Sequence, residues 1–435
     1  MLKIKNLNTS SKAFDKDFKT FINKRIFRSE KVQNKVNLIL KDILLNGDRA
    51  LLKYTKKYDN YDAKKIKNLK VSQKEINNSF KIISKEDLSA IKFAAKNINK
   101  FSNLQKIKDW KYSDSIGITF GQKCSPIEKV GIYVPGGSAS YPSSVLMNAI
   151  PAKVAGVDNI VMVTPATNGE INPAVLVAAK VAGVNSIYKI GGAQAIAALA
   201  FGTKIIPKVF KVVGPGNNFV ATAKKTLFGQ IGIDSFAGPS EIMIVADSTA
   251  NVDWLTADIF AQSEHDNQAQ SILVTNSQEL IKKVSKNIEK KIQNMKRKRI
   301  IKHSLENYGL MIKTKSISES KKIINLVAPE HLQLSVKNPS KLMNGNLNAG
   351  AIFMGPKSPE VFGDYCAGPN HVLPTMGTAK FSSPLGVYDF QKRSNFLKCS
   401  SKAVKQLSIN SEILANSENL DAHSISARLR RNLKW

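Results

Sequence analysis

Cysteine is almost absent: the chain of 435 residues has three, Cys124, Cys366 and Cys399, far apart and without CxxC spacing. That excludes a disulfide scaffold and a thiolate zinc finger, and it leaves reduced thiols with no assigned chemistry. Histidine is scarce as well, with only His265, His303, His331, His371 and His423 available for imidazole chemistry. No apolar run is long enough to span a bilayer, and the first residues, MLKIKNLNTSS, contain no apolar signal core, so no membrane association is expected and the protein reads as cytoplasmic. GxGxxG, HExxH and GxSxG are missing, which removes the usual fingerprints of a Rossmann dinucleotide site, a zinc protease and a serine hydrolase.

Negative charge is the scarce sign: 33 Asp and Glu stand against 65 Lys and Arg, for a net +32. Such a balance raises nucleic acid as a partner. Its distribution argues against that. Residues 1–130 hold 30 basic against 13 acidic side chains and residues 276–435 hold 27 against 11, whereas residues 131–275, the Gly-rich middle, hold 8 against 9. The excess therefore lies on Lys-rich amphipathic flanks such as INKRIFRSEKVQNKVNLILKDILL, where a solvated helix face is the ordinary explanation. With no zinc finger or RRM motif present, no nucleic-acid partner is expected.

What is present is an ordinary globular composition, 43% hydrophobic and 23% charged, with a clear alternation from Lys129 onward. Short apolar runs, KVGIYV, NIVMV, SIYKI, KVFKVV and EIMIVAD, then SILVT and GAIFM, read as strands. Between them NPAVLVAAKVAG and AQAIAALAFG read as crossover helices closed by glycine. The expected fold is α/β, with two Rossmann-like, doubly wound parallel-sheet units and helical N-terminal and C-terminal appendages.

In such folds ligands bind in loops after the strands. Three of these loops are Gly-rich, VPGGSASYPSS, IGGAQAIAA and VGPGNNFV, and glycine with a following helix N-terminus suits a phosphate. Singly each is a tight turn; on successive strands they favour a dinucleotide or phosphorylated ligand. AGPSEIMIVAD sets Ser240 just before a strand, either as a turn hydroxyl or as a ligand contact. His265, in AQSEHD, follows Gln262 at helical spacing; His371 follows Asp364 in GDYCAGPNHVLPT; His423 follows Glu418 near the C-terminus. Asp, His and amide oxygen are all plausible donors to a divalent ion, although no spacing links them into a known motif. His303, beside the run KRKR, reads as a surface residue.

LVAPEHLQL sets Glu330 beside His331, and Pro329 with an acid after it fits a helix start. A catalytic pair is the other reading. The ordered set EKVGIYVPGG, IGGAQAIAA, VGPGNNFV, AGPSEIMIVAD, AQSEHD, APEHLQL, GDYCAGPNHVLPT and AHSISARLR resembles the histidinol dehydrogenase family through most of the chain. That resemblance implies an NAD-dependent, four-electron oxidation of L-histidinol through L-histidinaldehyde to L-histidine. It implies Glu330 and His331 as the acid–base pair. It implies one Zn2+ per active site on Gln262, His265, Asp364 and His423, substrate contacts at Ser240, His371 and Glu418 as well as at His331 and the metal ligands, and NAD contacts at Tyr133, Gln194 and Asn217. It further implies a homodimer whose C-terminal segment completes the partner's site. The corresponding division is an N-terminal helical segment (1–28), a first α/β domain carrying most of the active site (29–132 and 240–385), a second with the NAD loops (133–239), and a helical tail (386–435) reaching the partner.

Overall fold

The computed structural model describes residues 2–24, 30–136, 141–235 and 238–431. Numbered along the chain, its strands are β1 (Lys5–Asn8), β2 (Trp110–Ser113), β3 (Ile118–Pro126), β4 (Lys129–Tyr133), β5 (Asn159–Thr164), β6 (Ser186–Lys189), β7 (Lys211–Val213), β8 (Gly232–Ile233), β9 (Glu241–Ala246), β10 (Gln270–Thr275), β11 (Gly309–Lys313), β12 (His331–Ser335), β13 (Ala351–Met354) and β14 (Gln391–Cys399). Two parallel sheets dominate. One has the order β1-β11-β10-β9-β12-β13 and the other β6-β5-β4-β7-β8. The expected α/β class with two doubly wound units is what the chain adopts.

Each sheet is buried on both faces, as parallel strands with crossover helices require. In β4, Val130 and Ile132 enter one core while Tyr133 enters the opposite one. In β9, Met243 and Val245 face one core while Ile242 and Ile244 face the other. This period of two on an unbroken apolar run explains why the strands were legible.

The expected helical appendages are present, the helix Phe14–Asn23 at one end and the helices Ser401–Ser417 and Asp421–Arg431 at the other, and each has a strand beside it. The N-terminal segment is not only helical: Lys5–Asn8 pair in parallel with β11 as the edge of the six-stranded sheet, before the helix Phe14–Asn23. After a short 3-10 turn at Val387–Phe390, the tail forms β14, which joins β3 and β2 in a third, antiparallel sheet, before the helices Ser401–Ser417 and Asp421–Arg431. The helices between Glu30 and Leu104 pack on the five-stranded sheet: Val36, Ile43 and Leu51 share a core with Val161 and Val163, and Ile91 and Ile98 share one with Val130 and Met162. The expected division instead grouped 29–132 with 240–385. Their apolar faces match the Ala-rich helices of the middle segment, a complementarity that local sequence does not reveal. Among the described residues no helix is long and apolar enough to cross a membrane.

Candidate active site

The first departure is LVAPEHLQL itself. No helix opens at Pro329. The helix Ser320–Val327 ends there instead, closed by Ala328 in the left-handed region (φ 49°), and His331 is the first residue of β12. A buried run of five residues can be either helix or strand by periodicity; insertion between β9 and β13 decides it as a strand.

β9 and β12 are neighbours, and their amino ends are tied together by the residues that begin them. The Glu241 N–H donates to Glu330 Oε2 at 2.8 Å, and the Glu330 N–H donates to Glu241 Oε2 at 3.3 Å. His331 Nδ1 lies 3.0 Å from the carbonyl oxygen of Glu241. A carbonyl only accepts, so Nδ1 carries the proton, and in the neutral ring Nε2 is the basic atom. Nε2 sits 3.3 Å from Asp364 Oδ1.

Two short helical segments bring the remaining groups. Asn251 caps the helix Val252–Ser263 by accepting from the Asp253 and Trp254 N–H groups, and Leu255, Ile259 and Phe260 bury its apolar face. Its last turn thereby delivers Gln262 to the strand ends, with His265 just beyond. With its amide oriented to suit its neighbours, Gln262 donates to Glu360 Oε1 at 2.8 Å. The helix Glu360–Tyr365 carries Glu360 and Asp364 one turn apart and is docked by the Glu360 N–H donating to Gln333 Oε1 at 3.2 Å. Around these lies a cleft of about 400 Å3, whose wall includes Asn217, Ser240, Gln262, His265, Glu330, His331, Asp364 and His371.

Burial and like charge set the electrostatics. Glu330 is buried, and desolvation, only partly offset by His331, pushes its pKa up to about 7. Burial opposes charge on His331, but Glu360, Glu330 and Asp364 outweigh it and raise its pKa well above the ordinary value. Burial likewise raises Glu360, and it works against the Asp364 charge, which His331 nevertheless holds below the usual carboxylate range. His265 and His371 are pushed down, chiefly by the protein crowded around them, and so favour the neutral imidazole. His265 is nonetheless open to solvent on the cleft wall.

The expected cofactor residues take up a second region. Tyr133, at the carboxyl end of β4, is buried, and its hydroxyl accepts from the Gly192 N–H at 3.2 Å. Gln194 is buried in the helix Gly192–Phe201, its side chain beside the Asp59 carboxylate, whose pKa it helps to lower. Asn217 caps the helix Asn218–Leu227 through the Phe219 and Val220 N–H groups and also lines the cleft. In the loop VPGGSASYPSS, residues 137–140 lie outside the described residues. Glu418 and His423 do not join the cleft of their own chain; both are exposed on the C-terminal helical arm.

Comparison with known proteins settles the kinship. The family model described as histidinol dehydrogenase matches residues 23–431. The chain belongs to the histidinol dehydrogenase family. It is 47% identical over 427 residues to the histidinol dehydrogenase of Acinetobacter baylyi, covering 98% of this chain and 99% of that one. It is also 47% identical to that of Neisseria gonorrhoeae, covering 98% and 100%. The crystal structure of histidinol dehydrogenase from Elizabethkingia anophelis superposes with a TM-score of 0.93 at 36% identity, over 99% of this chain and 98% of that one.

Against the background of this oxidoreductase family, two site residues escaped the sequence reading. Glu360 lies 3.7 Å from His331 Nδ1 and accepts from Gln262; its signal was an acid four residues before Asp364 on one helical face. Glu241 was legible only as an acid opening an otherwise apolar strand. The ligand atoms of His331, Glu360 and Asp364 lie within 4.8 Å of one another, and His331 Nε2 and Glu360 Oε2 are buried without a hydrogen bond. An acidic pocket with unsatisfied donors and acceptors suits a bound cation and a polar ligand. The donor set of Gln262, His265 and Asp364 fits zinc chemically, since metals take the neutral imidazole and the ionised carboxylate that these shifts favour.

Proposed function

We propose that the protein is a zinc- and NAD-dependent histidinol dehydrogenase, oxidising L-histidinol through L-histidinaldehyde to L-histidine in the cytoplasm. The observation that carries this reading is the fixed Glu330–His331 pair, opening on one cleft with Gln262, His265, Asp364 and His371. Gln262, His265, Asp364 and the partner subunit's His423 would hold zinc, which would supply a Lewis acid that anchors the substrate in the cleft. NAD would accept hydride twice, and Tyr133, Gln194 and Asn217 would contact it.

The chain's own residues account for the proton traffic. In its neutral form His331 takes the alcohol proton at Nε2 as the first hydride leaves, giving aldehyde; its raised pKa makes the ring a stronger base and ties turnover to a pH high enough to deprotonate it. Glu330 removes a proton from water as its oxygen adds to the aldehyde carbon, while His331 returns the proton it took to the former carbonyl oxygen, giving the hydrate and restoring the neutral imidazole; Glu330 then releases its proton to solvent. His331 takes the second hydroxyl proton as the second hydride leaves, giving the carboxylic acid. The bond from Nδ1 to the Glu241 carbonyl supports the base role of Nε2 by fixing the tautomer. A carboxyl with a pKa of about 7 supports the role of Glu330, because a general base works best when poised near the working pH. Ser240 and His371 line the same cleft and would contact substrate.

A homodimer completes the reading. Glu418 and His423 lie on an arm whose Leu397, Ile413, Leu414 and Leu429 are each at least 60% exposed, an apolar surface that suits burial against a second copy reached by the same arm. Purified protein with L-histidinol and NAD should form two NADH per histidine, and a chelator should abolish this. Zinc-loaded, folded dimer that forms no NADH would refute the proposal.

A further inference from the structure

Asp59 is a carboxylate in an unfavourable place. It directly follows the helix Glu30–Tyr58, whose C-terminal dipole disfavours negative charge, and it is only 8% exposed. Its backbone N–H closes that helix on the Thr55 carbonyl at 2.9 Å, which fixes the backbone that carries the side chain. Burial pushes its pKa up to about 6, and the Gly191 N–H, donating to Asp59 Oδ2 at 3.0 Å, recovers part of that cost. A bare structural cap would not need a buried charge here.

What Asp59 touches suggests its task. Gly191 opens the loop that leads into Gln194, and the next residue, Gly192, has a φ of +62° and donates to the Tyr133 hydroxyl. A Cβ on Gly191 would come within 2.8 Å of Asp59 Oδ1 and 2.6 Å of Pro165 Cβ, so the loop is wedged between these two side chains. The second glycine loop is anchored in a parallel manner. The Gly214 N–H donates to Asp234 Oδ2 at 2.7 Å, its carbonyl accepts from Lys224 Nζ at 3.0 Å, and Lys224 and Asp234 form a buried ion pair. Gln194 and Asn217 thus each stand three residues beyond a glycine whose N–H is held by a buried carboxylate, and Tyr133 lies between the two loops.

We propose that Asp59 is a positioning residue for the dinucleotide half of the site, fixing Gly191 so that Tyr133 and Gln194 are preorganised for the cofactor; this rests on the NAD reading given above. The test is steady-state kinetics on the full-length dimer, with NAD and L-histidinol varied separately. Asp59→Ala should raise KM for NAD about tenfold, the worth of one charge-assisted hydrogen bond, with kcat and KM for L-histidinol changed less than threefold. Asp59→Asn keeps an oxygen acceptor and should recover most of the affinity, whereas Asp59→Glu, one methylene longer against Gly191, should not. The Asn and Glu variants decide the matter if the Ala variant does not fold. An unchanged KM for NAD in both Ala and Glu variants, or equal rises in KM for both substrates, overturns the positioning role. Wild-type enzyme that shows no NAD saturation overturns the reading on which it rests as well.

Discussion

The two parallel sheets are wound alike and used differently. Counted by their own chain order, β6-β5-β4-β7-β8 and β11-β10-β9-β12-β13 are both 3-2-1-4-5, with the reversal between β4 and β7 in one and between β9 and β12 in the other. At the first reversal the proposed cofactor residues stand at the carboxyl ends, where Tyr133 closes β4 and Gly214 follows β7. At the second, Glu241, Glu330 and His331 stand at the amino ends. The carboxyl edge receives the N-termini of the helices Gly192–Phe201 and Asn218–Leu227, which favour an anion such as a pyrophosphate. The amino edge receives the C-termini of the helices Val252–Ser263 and Ser320–Val327, which together with four acids favour a cation. One topology therefore offers two edges of opposite polarity.

If that comparison is right, damage at the amino edge should strike turnover and damage at the carboxyl edge should strike cofactor binding and stability. The largest effect is expected from His331→Asn, which should lower kcat roughly 10³-fold, within the range of a lost general base, while calorimetry still detects NAD binding and metal analysis still finds zinc. Near-normal turnover would remove His331 as the base. Gly214→Ala comes next. With φ at +111° and a Cβ falling 2.1 Å from the Tyr133 carbonyl oxygen, it should cost about 3 kcal/mol in denaturant unfolding and raise KM for NAD. Glu330→Gln should lower aldehyde oxidation about 10²-fold in single-turnover experiments while the first oxidation suffers less; equal losses would end the division of labour between the pair.

The smallest effect is a pH dependence confined to the carboxyl edge. Asp59 has a folded pKa of about 6, above its ordinary 3.8, so the folded state binds a proton more readily than the unfolded chain. The burial cost is in full force above pH 6, and stability is regained as pH falls from about 6 toward 4. Asp59→Asn should therefore be more stable than wild type at pH 8, by about 2 kcal/mol, with the difference closing as pH falls through that window. A constant difference between pH 8 and 4 would show that Asp59 is not charged in the fold.

Much of this was readable along the chain. The strands KVGIYV, NIVMV, SIYKI and EIMIVAD were legible because a doubly buried parallel strand is an unbroken apolar run. β1 and β12 were not: KNLN is an edge strand with polar alternation, and HLQLS follows a proline and an acid that also fit a helix start. The strand-loop rule led to the glycine loops but pointed to the wrong edge for Glu330 and His331. Glu360 and Glu241 were missed because an isolated acid signals nothing until a second ionisable group is placed against it.

The sequence by itself determined the residue types, the α/β alternation and the kinship, since each depends on local order and on motifs whose succession survives in one dimension. Only the tertiary structure decided that the residue after Pro329–Glu330 begins a strand, that Nδ1 of His331 donates to the Glu241 carbonyl, and that four acids from three segments are gathered around His331. Those outcomes depend on groups far apart in the chain being held within hydrogen-bond distance, as Glu241 and His331, 90 residues apart, are. The energy of a buried charge is set by such neighbours and not by its place in the chain.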